Sequence, residues 1–451
     1  MSLKLDSIAD NANIVKRAKF YAFIIPLIIY LLSPVVQFSD SSYTLLLTQS
    51  IVDHASLDLS RYNIKLTPSI NPFGSEFKYL PYHFERYKDR VYYIYPIGNA
   101  VLAIPFVKAF NLFGISAVTR EGGYDKLNEI KMQKLMAALL SAISAWLTFL
   151  VAKKYLNWIG SIVISLGTAF GTAIFSTAAC GLWGHTWSLI IGATVLLVLV
   201  KLDQGETVDE TIIGSLLAWS YFVRPTNALM ILVCTIYLLM SRKVRATRLL
   251  LTGAFWLSCF FCYSWYTYDN LLPTYYRMSY FEIRSFFSGL AGITISPARG
   301  LLVYSPAFLI TLYLSASQFR QLVRNRLFVV SATIVAANIA VISCFKYWWG
   351  GSCYGPRYLT DITPWLAFMT IVSVRQFLVT NGPKARYALA IISFALIGIS
   401  IFNTFPGAFH GKYFNWYDDV VQSDRFHTEL LWDWQRAPFL DLLSTSGNNR
   451  I

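Results

Sequence analysis

Residues 133–152 read QKLMAALLSAISAWLTFLVA, and two lysines, Lys153 and Lys154, follow them directly. A run of about 20 mostly apolar residues can cross the hydrocarbon core of a bilayer as one helix. Ten further apolar runs are separated by polar segments, so the sequence predicts an all-α polytopic membrane protein. These runs are residues 20–37, 158–178, 186–201, 211–223, 225–240, 249–267, 300–316, 327–345, 360–376 and 387–404.

The composition agrees with a membrane location. Of the 451 residues, 55% belong to the hydrophobic set and 14% are charged, whereas soluble domains contain about 25% charged residues. The mean hydropathy is +0.48, and most of the six cysteines lie inside apolar runs, where a thiol is a small hydrophobic group. These values exclude a soluble enzyme, a secreted disulfide scaffold and a disordered chain.

Basic residues set the predicted orientation, because short cytoplasmic loops are enriched in lysine and arginine. The net charge of +14 therefore requires no nucleic-acid partner. We interpret residues 96–113 as lying in the membrane without crossing it, which brings four basic turns to the side of the basic N-terminal segment. These turns contain Lys153-Lys154, Arg242-Lys243-Arg245-Arg248, Arg320-Arg324-Arg326 and Arg375-Lys384-Arg386. The result is eleven spans with a cytoplasmic N-terminus and an extracytoplasmic C-terminus.

This threading divides the chain into a transmembrane module, residues 1–404, and an extracytoplasmic tail, residues 405–451. Residues 38–130 form a long first outer loop, which we expect to carry membrane-lying helices, and residues 268–299 form a second. The polar segment 346–358 faces the same side. Because the cytoplasmic loops are too short for a nucleotide-binding domain, function is expected on the outer face.

Asp40 is the first candidate for chemistry. It lies in the segment FSDSSY, residues 38–43, just after the first predicted span. A carboxylate at a membrane interface is partly desolvated, and such a group is a better proton acceptor, as a general base must be. The alternative interpretation is that Asp40 caps a helix that begins near Ser42.

Cations at predicted span ends form a second group. Arg224 precedes Pro225 at the break within residues 211–240, and an arginine at membrane depth is costly without a partner or a function. Lys346 and Arg357 bracket a segment rich in glycine and aromatic residues, and the arginine fork matches phosphate oxygens. Snorkelling cations in an aromatic belt are the alternative.

Further candidates are weaker. Arg299 is a possible phosphate-binding residue and Arg277 a possible substrate-binding residue of the second loop, although a solvated surface explains both. His185, at an outer turn, is a candidate for contact with phosphate or an acceptor. Three tyrosines in the candidate segments are possible substrate-binding residues: Tyr43, Tyr354 and Tyr358. The histidines and cysteines lack metal-ligand spacing, so no metal and no cofactor are predicted.

One candidate base among several arginines at headgroup depth suits group transfer from a lipid-phosphate donor. The cations would stabilise charge on the departing phosphate while the carboxylate deprotonates the attacking hydroxyl. A single displacement of this kind inverts the anomeric carbon of a transferred sugar.

Nearly the whole chain resembles the GT-C superfamily of membrane glycosyltransferases, which includes protein O-mannosyltransferases and lipid A aminoarabinose transferases. The similar features are the acidic residue after the first span, the long first outer loop, and the second loop between the seventh and eighth spans. Local stretches follow the same order: YYIYPIG at 92–98, Arg224-Pro225, SPARGLL at 296–302, WWGG at 348–351 and GPRY at 355–358.

The resemblance implies a polyprenyl-phosphate monosaccharide donor, a lipid, glycan or protein acceptor, and a bacterial inner-membrane location with an extracytoplasmic active site. It implies that Asp40 is the catalytic base and that Arg357 and Lys346 hold the donor phosphate. Ser41 stands where many members carry a second acidic residue, so no obligatory metal is expected.

Two other classes remain open. A lipid-linked sugar flippase or transporter would agree with the break at Arg224-Pro225, although no matching break occurs in a second half of the chain. A ligase or polymerase that uses a lipid-diphosphate donor would be expected to carry its main outer loop late in the chain, whereas here the long loop comes first.

Overall fold

The computed structural model describes residues 12–70, 76–241, 244–277, 280–410 and 428–440. The structure is 71% helical, and within the described residues the sheet is confined to two antiparallel hairpins. The fold is therefore that of an all-α membrane protein with a small β component.

The helices and strands follow one another in a simple order along the chain. The α-helices are α1 Ala12–Leu32, α2 Thr44–His54, α3 Ile97–Leu112, α4 Lys126–Lys153, α5 Trp158–Phe170, α6 Gly184–Asp203, α7 Glu210–Val223, α8 Ala228–Ser241, α9 Ala246–Tyr268, α10 Thr274–Arg277, α11 Phe286–Ile295, α12 Leu301–Tyr304, α13 Phe308–Ser317, α14 Phe319–Leu322, α15 Arg326–Ser343, α16 Thr363–Thr380 and α17 Pro383–Phe409. The strands are β1 Thr67–Ile70, β2 Glu76–Tyr79, β3 Phe84–Tyr87 and β4 Arg90–Tyr93.

Six of the described helices are long and apolar enough to cross a membrane. They are α4, α6, α9, α15, α17 and the continuous helical segment Arg357–Thr380, which contains α16. In α9 and α17, only 17% of the 18-residue apolar stretch is buried inside the protein. Such broad apolar exposure on a helix is stable in hydrocarbon and not in water, which supports membrane embedding. The predicted total of eleven spans remains a prediction.

Three predicted spans are shorter or broken in the structure. Helix α1 ends at Leu32 instead of continuing to residue 37, because Pro34 lacks an N–H and restricts the residue before it. The predicted run 158–178 is divided after α5, where the chain turns at Gly171 and enters a π-helix, Ile174–Ala178. The predicted run 300–316 is divided between α12 and α13 at Pro306, for the same reason as at Pro34.

The predicted break within residues 211–240 is present. Helix α7 ends at Val223, Arg224 is extended with φ −154°, and the turn Pro225–Asn227 leads into α8. Because proline cannot donate the next helical hydrogen bond, the backbone is released at this point. The break turns Arg224 away from a regular helix and toward neighbouring elements.

Residues 38–130, the predicted first outer loop, contain helices α2 and α3 and also the two hairpins, which were not predicted. That the helices lie in the membrane stays a prediction. Strand β3 pairs with β4 so that Phe84 lies opposite Tyr93. The connecting residues Lys88 and Asp89 have φ of 47° and 61°, the left-handed values that a tight hairpin turn requires. Asparagine and glycine usually supply such a turn, so the Lys-Asp pair gave no hairpin signal.

The second outer loop is partly helical and contacts the first. Helix α11 packs against α15, so residues 286–295 are not an open loop. Thr274 Oγ1 donates a hydrogen bond to Glu85 of β3 at 2.7 Å, and Tyr87 donates one to Asp269 at 2.8 Å. These contacts join the two loops on the side of the molecule where Asp40 lies.

Helix α4 occupies the centre of the described bundle. It packs against α1, α5 and α6, and its buried alanines allow close approach of the helix backbones. Of the predicted tail, residues 411–427 and 441–451 lie outside the described residues. In its described part, the Leu431 carbonyl accepts a hydrogen bond from Ser296 at 2.6 Å.

Candidate functional site

Asp40 lies in the turn between α1 and α2, and each of its carboxylate oxygens has a partner. Arg357 Nη1 donates to Oδ2 at 2.9 Å, and the Tyr95 hydroxyl donates to Oδ1 at 3.1 Å. The Asp40 side chain is 33% exposed, whereas that of Arg357 is 8% exposed. Asp40 is thus held by a buried arginine and a half-buried tyrosine and remains accessible to a reactant.

The backbone around Asp40 is fixed by the first outer loop. The Tyr93 hydroxyl of β4 donates to the Asp40 carbonyl at 2.7 Å, and His83 Nε2 lies 2.9 Å from the Ser39 carbonyl. Burial lowers the pKa of His83, so at neutral pH its imidazole is neutral and Nε2 carries the donated proton. The hairpin therefore positions the candidate base.

The alternative that Asp40 caps α2 is wrong. The N-cap residue is Tyr43, with φ 69°. The free N–H groups of the first turn are bound instead by Glu129 of α4, whose carboxylate accepts from Tyr43 at 3.1 Å and from Leu45 at 2.8 Å. The Asp40 carboxylate is consequently available for contacts outside the helix.

Arg357 is presented by a tight turn at the start of the helical segment that leads into α16. Gly355 has φ +70°, which favours glycine, and Pro356 follows it. The guanidinium lies over the Trp183 ring at 4.5 Å, a cation–π contact that holds its plane. Its Nε is buried without a hydrogen-bond partner in the described part of the chain. The Tyr358 ring lies 5.4 Å from the same guanidinium, so aromatic side chains hold Arg357 on two sides.

A second charged cluster lies beside the first. Arg224 Nε is 3.0 Å from Asp361 Oδ2, and His185 Nδ1 is 3.0 Å from Asp361 Oδ1. Arg224 Nη1 also lies 2.7 Å from His185 Nε2. Because an arginine only donates, His185 Nε2 must be the unprotonated nitrogen and Nδ1 carries the hydrogen. The imidazole is thereby neutral, and Asp361 balances the charge of Arg224.

Aromatic side chains join the two clusters. The Tyr358 ring lies 6.1 Å from that of His185, and the Tyr275 ring lies 5.3 Å from that of Tyr95. Burial raises the pKa of Tyr275 to about 12, and the charges of Arg224 and Asp40 both act on it. Burial also raises the pKa of Tyr95. Both hydroxyls are therefore protonated donors at neutral pH.

The structure brings together five of the residues singled out from the sequence. They are Asp40, Arg357, Arg224, His185 and Tyr358, which come from four separate segments of the chain. Contact between residues 317 positions apart, as in the Asp40–Arg357 pair, does not follow from any local pattern.

Arg299 has a different role from the predicted phosphate contact. It is fully buried, and its guanidinium donates to the carbonyls of Trp349 at 2.7 Å and Gly351 at 3.2 Å. Nη1 donates to the Ala298 carbonyl at 2.8 Å. Arg299 thus fixes the glycine-rich turn that precedes Arg357, and it supports the site through the backbone.

Lys346 and Arg277 are exposed on the surface. The Lys346 ammonium lies 5.4 Å from the Tyr347 ring, as in the snorkelling alternative, and Arg277 donates to Thr274 Oγ1 at 3.0 Å. The structure records no contact of either cation with the Asp40 cluster among the described residues. Neither is carried into the proposal below.

Tyr354 packs in the protein interior, whereas Tyr43 is half-buried. Tyr354 is fully buried, and its hydroxyl donates to the Asn403 carbonyl of α17 at 2.8 Å. The Tyr43 ring contacts those of Phe84 and Tyr124 at 4.6 Å and 4.5 Å. Tyr354 therefore has a structural role and not the predicted substrate contact. Tyr43 joins neighbouring segments through its ring, and its substrate contact stays a prediction.

Five residues of the site were missed from the sequence: Tyr95, Trp183, Tyr275, Asp361 and Glu129. Two of them carried a usable signal, because Asp361 and Glu129 are carboxylates inside or beside apolar runs, where a charge requires a partner. The three aromatic residues carried none, since tyrosine and tryptophan are common at membrane interfaces for other reasons.

Across the described residues, no group of three or more His, Cys, Asp or Glu side chains is placed to hold a metal ion.

Comparison with protein-family models and with curated proteins finds no match for this chain.

Proposed function

We propose that the protein is a membrane glycosyltransferase of the GT-C type, which moves a monosaccharide from a polyprenyl-phosphate donor to a hydroxyl acceptor with inversion. The observation that carries the proposal is the contact between Asp40 and Arg357 at 2.9 Å, with the carboxylate accessible and the arginine buried. A carboxylate beside a guanidinium supports the proposal, because the first can accept a proton and the second can bind a phosphate. The predicted side of the membrane is the extracytoplasmic one.

In the proposed reaction, Asp40 removes the proton of the acceptor hydroxyl as that oxygen forms a bond to the anomeric carbon. The bond between this carbon and the phosphate oxygen breaks, and the polyprenyl phosphate leaves with the electron pair. The proton ends on the Asp40 carboxylate. Arg357 offers its terminal Nη groups to the phosphate, where negative charge develops.

The resting ion pair gives this reaction an order. While Arg357 Nη1 donates to Asp40 Oδ2, that carboxylate oxygen is occupied. A donor phosphate that takes over Arg357 Nη1 would free Oδ2 for the acceptor hydroxyl, while Oδ1 keeps the hydroxyls of Tyr95 and Ser39. Donor binding would thus precede activation of the acceptor.

The second cluster would serve to hold the donor sugar or its phosphate. Arg224 is anchored by Asp361, so it can present a fixed donor without leaving an unpaired buried charge when the site is empty. The Tyr275 hydroxyl is protonated and near both clusters, which suits a hydrogen bond to a sugar hydroxyl. These contacts would orient the anomeric carbon between Arg357 and Asp40.

A flippase or transporter is the second candidate, because buried ionisable residues within membrane segments are also typical of transport pathways. Asp361 and His185, with side chains 5% and 2% exposed, are residues of this kind. The two candidates differ in whether a covalent bond is made. The contact of Asp40 with Arg357 favours transfer, since a passive pathway requires no accessible base.

The test is a reaction with purified protein in lipid vesicles. A panel of radiolabelled polyprenyl-phosphate sugars supplies donors, and a membrane extract of the source cells supplies acceptors. We expect label to move from the lipid donor to a second product for one donor, with release of polyprenyl phosphate. Movement of the intact donor between leaflets with no label transfer would contradict the proposal and establish the flippase.

A further inference from the structure

A groove of about 660 Å³ lies between α5, α13, α16 and α17, and it is separate from the Asp40 cluster. Its wall is apolar along most of its length, with Ile164, Ile310, Val374, Phe394 and Ile397 among the lining residues. The lining extends from Asn157 to Thr172, beyond both ends of α5. A 13-residue helix is about 20 Å long, so the groove is elongated in the way that a hydrocarbon chain requires.

One end of the groove is strongly basic. Four cations from three different segments line it, namely Lys153, Lys154, Arg375 and Arg386. Lys154 and Arg386 are exposed, and Arg375 Nη1 donates to the Tyr155 carbonyl at 2.7 Å. Two carboxylates face the same region and leave the charge positive: Glu206 pairs with Lys154 at 2.7 Å, and Asp203 lies near Tyr155.

We propose that this groove binds one anionic phospholipid, with an acyl chain between α5 and α17 and its phosphate at the basic end. The volume is within the range of about 300–1,000 Å³ in which proteins enclose small ligands. Basic pockets between transmembrane helices attract anionic headgroups in the same way. An uncharged occupant would explain the apolar wall but not the four converging cations.

The polyprenyl-phosphate donor is not the occupant that the charges favour. Its phosphate would lie with Arg357, which does not line the groove, and the basic end belongs to the turns that are predicted to be cytoplasmic. The anionic phospholipid is therefore a second ligand, and its site does not depend on the proposed transferase activity.

The experiment is native mass spectrometry of the delipidated full-length protein in detergent. Phosphatidylglycerol and phosphatidylcholine with the same acyl chains are added in separate samples. We expect one phosphatidylglycerol to remain bound at concentrations about tenfold below those needed for phosphatidylcholine. Equal retention of the two lipids would overturn the proposal, because the cations would then make no difference.

Two pairs of variants locate the site. Ala390→Trp places an indole in the groove, whereas Ala395→Trp places one on an exposed part of the same helix outside the groove. Lys154→Gln with Arg386→Gln removes two groove cations, whereas Arg320→Gln with Arg324→Gln removes two exposed cations elsewhere. Only the first member of each pair should lose the bound phosphatidylglycerol, by about tenfold for the charge pair. Equal behaviour within either pair of equally stable variants would contradict the assignment.

Discussion

Asp40 and Arg357 form the central contact of the site. The partners of each side chain leave some of its polar atoms without a hydrogen bond or open to solvent. Tyr95 and Arg357 bind the two carboxylate oxygens, while a third of the Asp40 side chain stays exposed. Trp183 holds the arginine plane while its Nε has no partner in the described part of the protein. A merely structural ion pair would be expected to satisfy these groups.

Replacing Arg357 should impair the reaction with the lipid donor. Arg357→Gln is expected to raise the KM for the lipid donor and lower kcat, for a combined loss of at least about 30-fold, because a buried charged hydrogen bond is lost. Arg357→Lys should recover little, since an ammonium lacks the planar fork. Arg86→Gln, an exposed arginine of the first loop, is the matched control and should retain its kinetics.

The chemistry of a residue decides whether its place in the site could be predicted from the sequence. Charged residues at the ends of apolar runs, such as Asp40, Arg224 and Arg357, are conspicuous because burial of a charge is costly. Tyr95 and Tyr275 were not predictable, because their role depends on which loops come together. The sequence predicted that Lys346 and Arg299 bind phosphate. In the structure, Lys346 is exposed on the surface and Arg299 donates hydrogen bonds to backbone carbonyls.

At the scale of elements, the position of α2 depends on Glu129, which lies on a different helix. Its two carboxylate oxygens accept the N–H groups of Tyr43 and Leu45, and it is fully buried. Because α2 begins only four residues after Asp40, this contact also fixes the turn that carries the candidate base.

Glu129→Gln should therefore act on the reaction through Asp40. An amide has one acceptor oxygen in place of two, so one N–H of the first turn of α2 loses its partner, at a cost of about 1 kcal/mol of stability. We expect kcat to fall while the KM for the donor stays within twofold of the native value, about the error of such a comparison. A rise in KM without loss of kcat would show that Glu129 does not position the base. Glu85→Gln, in the neighbouring strand, is a control.

Gly98 of α3 lies so close to α7 that we expect no larger side chain to fit at this position. A Cβ at Gly98 would lie 2.6 Å from the Phe222 carbonyl group, whereas one at Gly253 of α9 would meet nothing within 4 Å. Gly98→Ala should therefore destabilise the protein by about 1–3 kcal/mol. Gly253→Ala should be neutral or stabilising by up to about 1 kcal/mol. Thermal unfolding in detergent measures both, and equal unfolding temperatures would show that α3 does not pack as described.

Helix boundaries show where sequence patterns are informative about elements. The long apolar runs of α6 and α15 predict both helix ends within a few residues, and that of α4 predicts its C-terminal end, because the bilayer permits little else. Helix α4 begins seven residues before its predicted run, in a polar segment that hydropathy does not detect. The predicted runs fail where a proline interrupts an apolar stretch, as at Pro34 and Pro306. The average hydropathy stays high across the proline, whereas the helix cannot continue through it. The β3–β4 hairpin was missed because its turn contains no glycine or asparagine.

For the whole molecule, the predicted threading places the Asp40 cluster and the basic groove on opposite sides of the membrane. Asp89 is exposed in the hairpin next to the candidate site, and Gln204 is exposed at the end of α6 near the basic groove. The charge rule predicts that the first faces outward and the second inward.

Cysteine labelling tests this orientation. In a variant without the native cysteines, Asp89→Cys should react with a membrane-impermeant maleimide in intact cells. Gln204→Cys should react only after permeabilisation, because the bilayer separates it from the reagent. Labelling of both positions in intact cells would place the two sites on one side and would require a different number of spans.

The most direct test of the central claim is the Asp40→Asn variant, compared with Asp89→Asn as a matched control. Asparagine keeps the size of Asp40 but cannot accept the acceptor proton, so transfer should fall by about 10²–10⁴-fold. Binding of the lipid donor, measured separately, should persist. Asp89→Asn removes an equivalent exposed carboxylate and should retain native transfer, since asparagine tolerates the φ of 61° at this turn. Transfer by Asp40→Asn at the native rate would show that Asp40 is not the base and would contradict the proposed mechanism.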